Sequence, residues 1–156
     1  MHMRLIAVGD RQPSWVDAAF ENYSQRLPKQ WQFRMDVIAT APRARNSSGE
    51  SAKLAEGQKV LAKIKAPERV VVLDERGKEF SSKELSAKLG EWQGDGRDLT
   101  FVIGGPDGIS GECVDRADLR WSLSRLTLPH GLARVLFAEQ LYRAWTMSTG
   151  HPYHRS

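Results

Sequence analysis

The sequence predicts an α/β domain, a mostly parallel sheet flanked by helices, and three observations carry that reading. Short apolar runs alternate with segments of helical period along the chain. Several of those runs are continuous rather than alternating, as strands covered on both faces are. No stretch of linker composition and no internal repeat divides the 156 residues, which fit one domain spanning 1–156.

Taken in order, Met3–Val8 (MRLIAV) is a first strand ending at Gly9. Pro13 and Ser14 open an amphipathic helix in which Trp15, Val16, Ala19, Phe20, Tyr23 and Leu27 recur near helical spacing, and Pro28 ends it. Residues 33–38 alternate apolar and polar, as a half-buried strand does. Residues 39–49 are loop chemistry, with Arg43 and Arg45 and no apolar anchor. A helix over residues 50–65 carries Leu54, Val60, Leu61 and Ile64. Residues 69–73 (RVVVL) are a continuous branched strand, and a helix over 82–92 follows with Ser81 or Ser82 as its N-cap. Gly94, Asp95 and Gly96 turn the chain into the strand Leu99–Ile103.

Composition narrows the function classes. A single cysteine, Cys113, excludes an internal disulfide and a cysteine-based zinc cluster, so no metal is expected. No apolar stretch approaches membrane-spanning length, and the N-terminus lacks a basic segment followed by a long apolar one; a cytoplasmic, membrane-free protein is expected. The net charge of +4 is a mild bias toward polyanions.

In parallel sheets, ligands sit beyond the carboxyl ends of the strands. That rule selects Asp74-Glu75-Arg76-Gly77, the turn Gly104-Gly105-Pro106-Asp107-Gly108, and the segment after the last strand near Trp121. The glycine turn is neither a Walker loop nor a dinucleotide fingerprint. It reads either as a plain β-turn with Pro106 at its second position or as a cradle where absent Cβ atoms let a ligand approach the backbone. Residues 121–130, WSLSRLTLPH, are too polar for a buried strand and too apolar for a surface loop. They read as a loop held inside the protein, with leucine walls and backbone polar groups that suit an adenine ring, or else as a buried connection without a ligand.

The helix over 132–147 is apolar nearly all round, wider than one sheet would bury, and a homodimer is the simplest supply of a second partner. Glu139 and Arg143 form an i, i+4 pair on its residual polar edge. The tail HPYHRS is poor as a metal site. It reads as an RNA contact, Arg155 for phosphate and Tyr153 with the imidazoles for stacking, or as a frayed terminus; Arg43 and Arg45 share that ambiguity and read better as solvated charges.

Together, VVLDERGK, the strand ending IGGPDG, WSLSRLTLPH, FAEQLYRAW and the terminal HPYHR resemble the RlmH family of SPOUT-class methyltransferases, over Arg4 to Arg155. Asp107 stands where that family often carries glutamate, a change that keeps the charge. The resemblance implies a SPOUT-type fold with a C-terminal deep trefoil knot, a homodimer, and S-adenosylmethionine as methyl donor. It implies methylation of N3 of a pseudouridine in 23S ribosomal RNA on the assembled ribosome. Carried over by position, the cofactor residues are Leu73, Gly104, Leu123, Ser124, Arg125, Leu126, Thr127 and Leu128. Loss of the N3 proton calls for a base or a stabilising cation: His154 is the expected base or orienting group, with Tyr153 and Arg155 holding the RNA. His130 and Arg143 are weaker candidates. The alternatives are a SPOUT enzyme with another RNA target, a catalytically silent ribosome-binding or RNA-binding module, and a nicotinamide-dependent oxidoreductase, the last disfavoured by the missing fingerprint.

Overall fold

A computed structural model describes residues 1–9, 11–43 and 48–154. In chain order the elements are β1 (Met3–Val8), α1 (Ser14–Ser24), a 3-10 turn (Lys29–Trp31), β2 (Arg34–Ile38) and α2 (Glu50–Ala62). They continue with β3 (Arg69–Glu79), α3 (Ser82–Asp95), β4 (Leu99–Ile103), α4 (Gly111–Arg116), β5 (Leu119–Ser122) and α5 (His130–Thr149). The strands form one sheet in the order β2-β1-β4-β3-β5, and neighbouring strands pair in parallel throughout.

The register explains the continuous apolar runs. Leu5, Phe101 and Val71 lie side by side across β1, β4 and β3, and that row points into a core closed by α1, α3 and α5. The next row, Ile6, Val102 and Val72, points to the opposite face, where Val60 of α2 and Cys113 of α4 complete a second, smaller core. Successive side chains of a strand face opposite ways, so a strand covered on both sides has no polar alternate. The larger core is aromatic: the Phe101 and Phe137 rings meet edge to face at 4.8 Å, with Trp92 and Trp121 about them.

Several sequence expectations need correction. Asp74 to Gly77 is not a loop but part of β3, which runs on to Glu79 and pairs with β5 on both sides of a bulge, Leu73 and Lys78 both facing Trp121. Gly77 permits the approach, since a Cβ there would lie 2.6 Å from the Arg120 carbonyl. Helix α3 begins one residue after Ser81, which caps it in a reciprocal capping box with Glu84. It continues through Gly94 and Asp95, and only Gly96 is left-handed. Helix α2 stops at Ala62, short of Lys65. Helix α4, capped by Ser110, was not foreseen.

Two corrections concern the C-terminal third. Trp121 and Ser122 end strand β5 and are buried, but the loop beyond them is not interior: Arg125, Leu126 and Thr127 are exposed, Leu126 at 74%. And α5 finds most of the cover it needs within its own chain, packed between α1 and α3 on the sheet. Its apolar surround is therefore weaker evidence for a second copy than the sequence suggested; Leu132, 45% exposed, is its one large apolar side chain left open among the described residues. No helix of the described residues is long and apolar enough to cross a membrane.

Candidate functional site

The carboxyl end of β4 and the bulged middle of β3 open into a cavity of about 740 Å³. Its floor is the glycine turn. Gly108 N–H donates to the Gly105 carbonyl at 2.9 Å, closing a turn with Pro106 and Asp107 at its centre, and Gly108 takes a φ of +90°. Gly104 has no room for a side chain, because a Cβ there would stand 2.6 Å from the Gly108 oxygen.

The turn is held from two sides. On one, Arg43 bridges Asp107 at 2.5 Å and Glu56 at 3.0 Å. Glu56 is 2% exposed and also accepts the Ala41 N–H at 2.8 Å. Arg43 was expected as a solvated charge and Ala41 was overlooked as an anchor; both are structural, and Arg45 lies outside the described residues. On the other side, His130 at the start of α5 hydrogen-bonds the Gly104 carbonyl through Nδ1 at 3.1 Å. Its Nε2 accepts from Arg134 Nε at 2.8 Å, and Arg134, itself 1% exposed, also donates to the Gly9 carbonyl. Burial and the Arg134 charge push the His130 pKa down against the raising effect of the Gly104 bond.

The cavity brings together Leu73, Gly104, Leu123, Leu126, Thr127 and Leu128. Ser124 and Arg125 do not line it: the Ser124 hydroxyl accepts the Leu126 N–H at 2.9 Å, and Arg125 reaches outward toward Glu79 at 3.8 Å. Asp74, Glu75 and Arg76 do line it, although the segment is strand. Lys53 of α2, Asp115 of α4 and Arg120 of β5 were missed; nothing local in the sequence marks them.

The charges about the cavity balance: Lys53, Arg76 and Arg120 stand with Asp74, Glu75, Asp107 and Asp115, and Arg43 pairs with Asp107 from behind. Partial burial would raise the Asp74 carboxyl, but the Arg120 guanidinium at 2.7 Å and the Arg76 N–H at 3.0 Å overcome it and hold the group below its usual range. Among the described residues no group of three or more His, Cys, Asp and Glu is placed to hold a metal ion.

The tail lies elsewhere. Tyr153 and His154 do not line this chain's cavity. Tyr153 packs edge to face on Tyr142 at 4.7 Å, and its hydroxyl donates to Glu139 at 3.1 Å. The guanidinium groups of Arg26 and Arg143 lie 5.5 and 5.2 Å from its ring centre. Burial, Tyr23 and Glu139 raise its phenol pKa. His154 Nδ1 sits 3.3 Å from the Thr146 hydroxyl, and Arg143 pairs with Glu139 at 2.6 Å. Arg155 lies outside the described residues.

A family model described as Predicted SPOUT methyltransferase matches residues 1–154. The chain belongs to the SPOUT methyltransferase family. Relatives named Ribosomal RNA large subunit methyltransferase H share this SPOUT chain's full length. That of Methylococcus capsulatus is 46% identical over 99% of this chain and 100% of its own. That of Thioalkalivibrio sulfidiphilus is 47% identical, covering 99% of each chain. Among solved structures, the fold is similar to one described as a probable methylase family protein from Haemophilus influenzae, with a TM-score of 0.56 at 9% identity over 99% of this chain and 70% of that one.

Proposed function

We propose that this chain transfers a methyl group from S-adenosylmethionine to N3 of a pseudouridine in the helix 69 loop of 23S ribosomal RNA on the assembled ribosome. The observation that carries the reading is the cavity in which Leu73, the glycine turn and the leucine loop meet. Relatives of equal length bear the name of a large-subunit ribosomal RNA methyltransferase. We take the chain as one cytoplasmic methyltransferase domain, acting as a homodimer.

The residues present fit the donor. The cavity volume of about 740 Å³ falls inside the usual span for small-molecule sites, and its walls offer leucines for an adenine face beside main-chain polar groups for its edge. When bound, S-adenosylmethionine supplies an electrophilic methyl on a positively charged sulfur. The chain's own part is positioning: His130 and Arg43 fix the glycine turn from opposite sides, so the floor of the site is rigid before a ligand arrives.

The N3 proton must leave the base. We assign His154 as the base or orienting group, with Tyr153 and Arg155 holding RNA. The tail packs away from its own chain's cavity, so in this reading it serves the cavity of the other protomer. The exposed Leu126 and Leu132 supply apolar surface for that subunit contact. The C-terminal knot belongs to the same reading: β5 lies at the sheet edge beside β3, while α5 crosses back to pack between α1 and α3.

The test is to incubate the protein and labelled methyl donor with ribosomes lacking the modification, then map the label. A label at N3 of one loop pseudouridine is expected; label elsewhere, or equal activity on a free stem-loop, overturns the assignment. Calorimetry showing no binding of S-adenosylmethionine would return the chain to the silent-module reading.

A further inference from the structure

The cavity accounts for the methyl donor better than for the RNA. With Asp107 held by Arg43, its charges balance, yet the chain has a net charge of +4. Surplus positive charge collects at the opposite end of the sheet. At the amino ends of β1 and β4, a second cavity of about 490 Å³ is lined by Arg4, Arg34, Lys63, Lys65 and Arg97 against two carboxylates, Glu68 and Asp98.

This cleft is built on a fixed frame. The turn between α2 and β3 has its carbonyls held by three guanidinium groups. Arg4 donates to the Lys63 oxygen at 2.6 Å, and Arg116 to those of Lys65 and Ala66 at 3.3 Å each. Arg97 donates to the Pro67 oxygen at 2.9 Å, and the Glu68 oxygen takes Arg116 at 2.8 Å and Arg97 at 3.1 Å. Arg4 is neutralised by Glu68 at 3.0 Å and Asp36 at 3.3 Å, so it serves the frame. Lys63 and Lys65 are exposed on that frame, and among the described residues neither ammonium takes part in an ion pair.

We propose that this amino-end cleft is a second RNA contact, which binds the phosphodiester backbone of a segment other than the one entering the donor cavity. The proposal rests on the RNA methyltransferase reading and deepens it. Strands rise about 3.3 Å per residue, so the two ends of β1 lie roughly 17 Å apart, and one nucleotide cannot reach both. Phosphate contacts at this second place would fix the register and orientation of a folded RNA on the protein. An acidic protein fits less well: of the apolar residues lining the cleft, Met3 and Leu99 are buried and only Pro67 is exposed, too little for an anchor.

The test compares two double variants that remove equal charge, Lys63→Gln with Lys65→Gln, and Lys83→Gln with Lys88→Gln on α3. Affinity for large ribosomal subunits and for protein-free large-subunit RNA is measured across a range of KCl concentrations. Each phosphate contact contributes about 0.7 to 0.9 to the slope of log affinity against log salt. The Lys63/Lys65 variant should lose about 1.4 to 1.8 from that slope on both probes, and the α3 variant none. It should also raise KM for ribosomes while keeping calorimetric binding of S-adenosylmethionine and kcat. Equal slopes for the two variants overturn the proposal. A loss seen on intact subunits alone also overturns it, pointing to an acidic ribosomal protein instead. Because the slopes are read from binding, they fail independently of the methylation test.

Discussion

Arg134 donates its Nε–H to Nε2 of His130 at 2.8 Å, and this bond fixes the protonation of a ring in the cavity wall. A guanidinium only donates, so Nε2 must be the bare nitrogen and Nδ1 carries the hydrogen that goes to the Gly104 carbonyl. Burial and the neighbouring cation both oppose a second proton. The neutral imidazole therefore ties the first turn of α5 to the glycine turn.

The sign of the resulting pH dependence is definite. A histidine held below its usual value of 6.5 gives stability that is complete above that pH and is lost as acid carries the pH down through the folded value. Thermal unfolding from pH 7.5 to 5 should show Tm falling, and His130→Gln should flatten the fall. The lowered carboxylates Glu68 and Asp74 titrate below this window. Parallel curves for the two proteins would remove His130 from the account.

Gly104→Ala should weaken S-adenosylmethionine binding at least tenfold and cost about 1 to 3 kcal/mol of stability, the usual range for overpacking. The Gly108 oxygen stands where the methyl would go, so the whole turn must shift. Calorimetry and chemical denaturation read the two effects separately. An alanine variant with unchanged affinity would mean that the turn does not touch the donor.

Glu56→Ala removes a buried carboxylate that holds both Arg43 and the Ala41 N–H. Arg43 keeps access to water and its Asp107 partner, so the loss falls on the Ala41 N–H, a buried donor left without an acceptor, at about 1 to 3 kcal/mol in urea melts. Glu56→Gln, which keeps the shape and one acceptor, should recover part of it.

If the tail serves the opposite protomer, His154→Ala and Gly104→Ala variants, each impaired alone at limiting S-adenosylmethionine, should regain activity when unfolded and refolded together. Mixed dimers then contain one cavity with an intact floor and an intact partner tail. No recovery on mixing, or full turnover by His154→Ala, would end that assignment.

The parts of the site legible in the sequence are those whose chemistry is local. The glycine turn announced itself by composition, and the leucine loop by a mixture that suits neither core nor surface. What stayed hidden depends on distant partners. Arg43 looks like any loop arginine until Glu56 and Asp107, remote in sequence, are placed beside it. Residues 74–77 read as loop because they are polar, but β3 pairs with β5 on either side of them, at Leu73 and at Lys78, and keeps them within the strand. The tail shows a related limit of composition: an aromatic and basic segment suits unpaired RNA bases, and it suits Tyr142 and Arg26 equally well. Helix α4, six residues long, is too short for a periodic signal to emerge.

The order of strands has a bearing on how the chain reaches this state. Met3 pairs with Leu99, so the centre of the sheet closes only after nearly a hundred residues exist, and the larger core waits for α5, the last helix. Non-local parallel pairing of this kind slows folding, because loop closure must be met before contacts repay it. Until α5 is made, the aromatic face of Phe101 and Trp92 has no lid, and the newborn chain is most prone to aggregate in that interval.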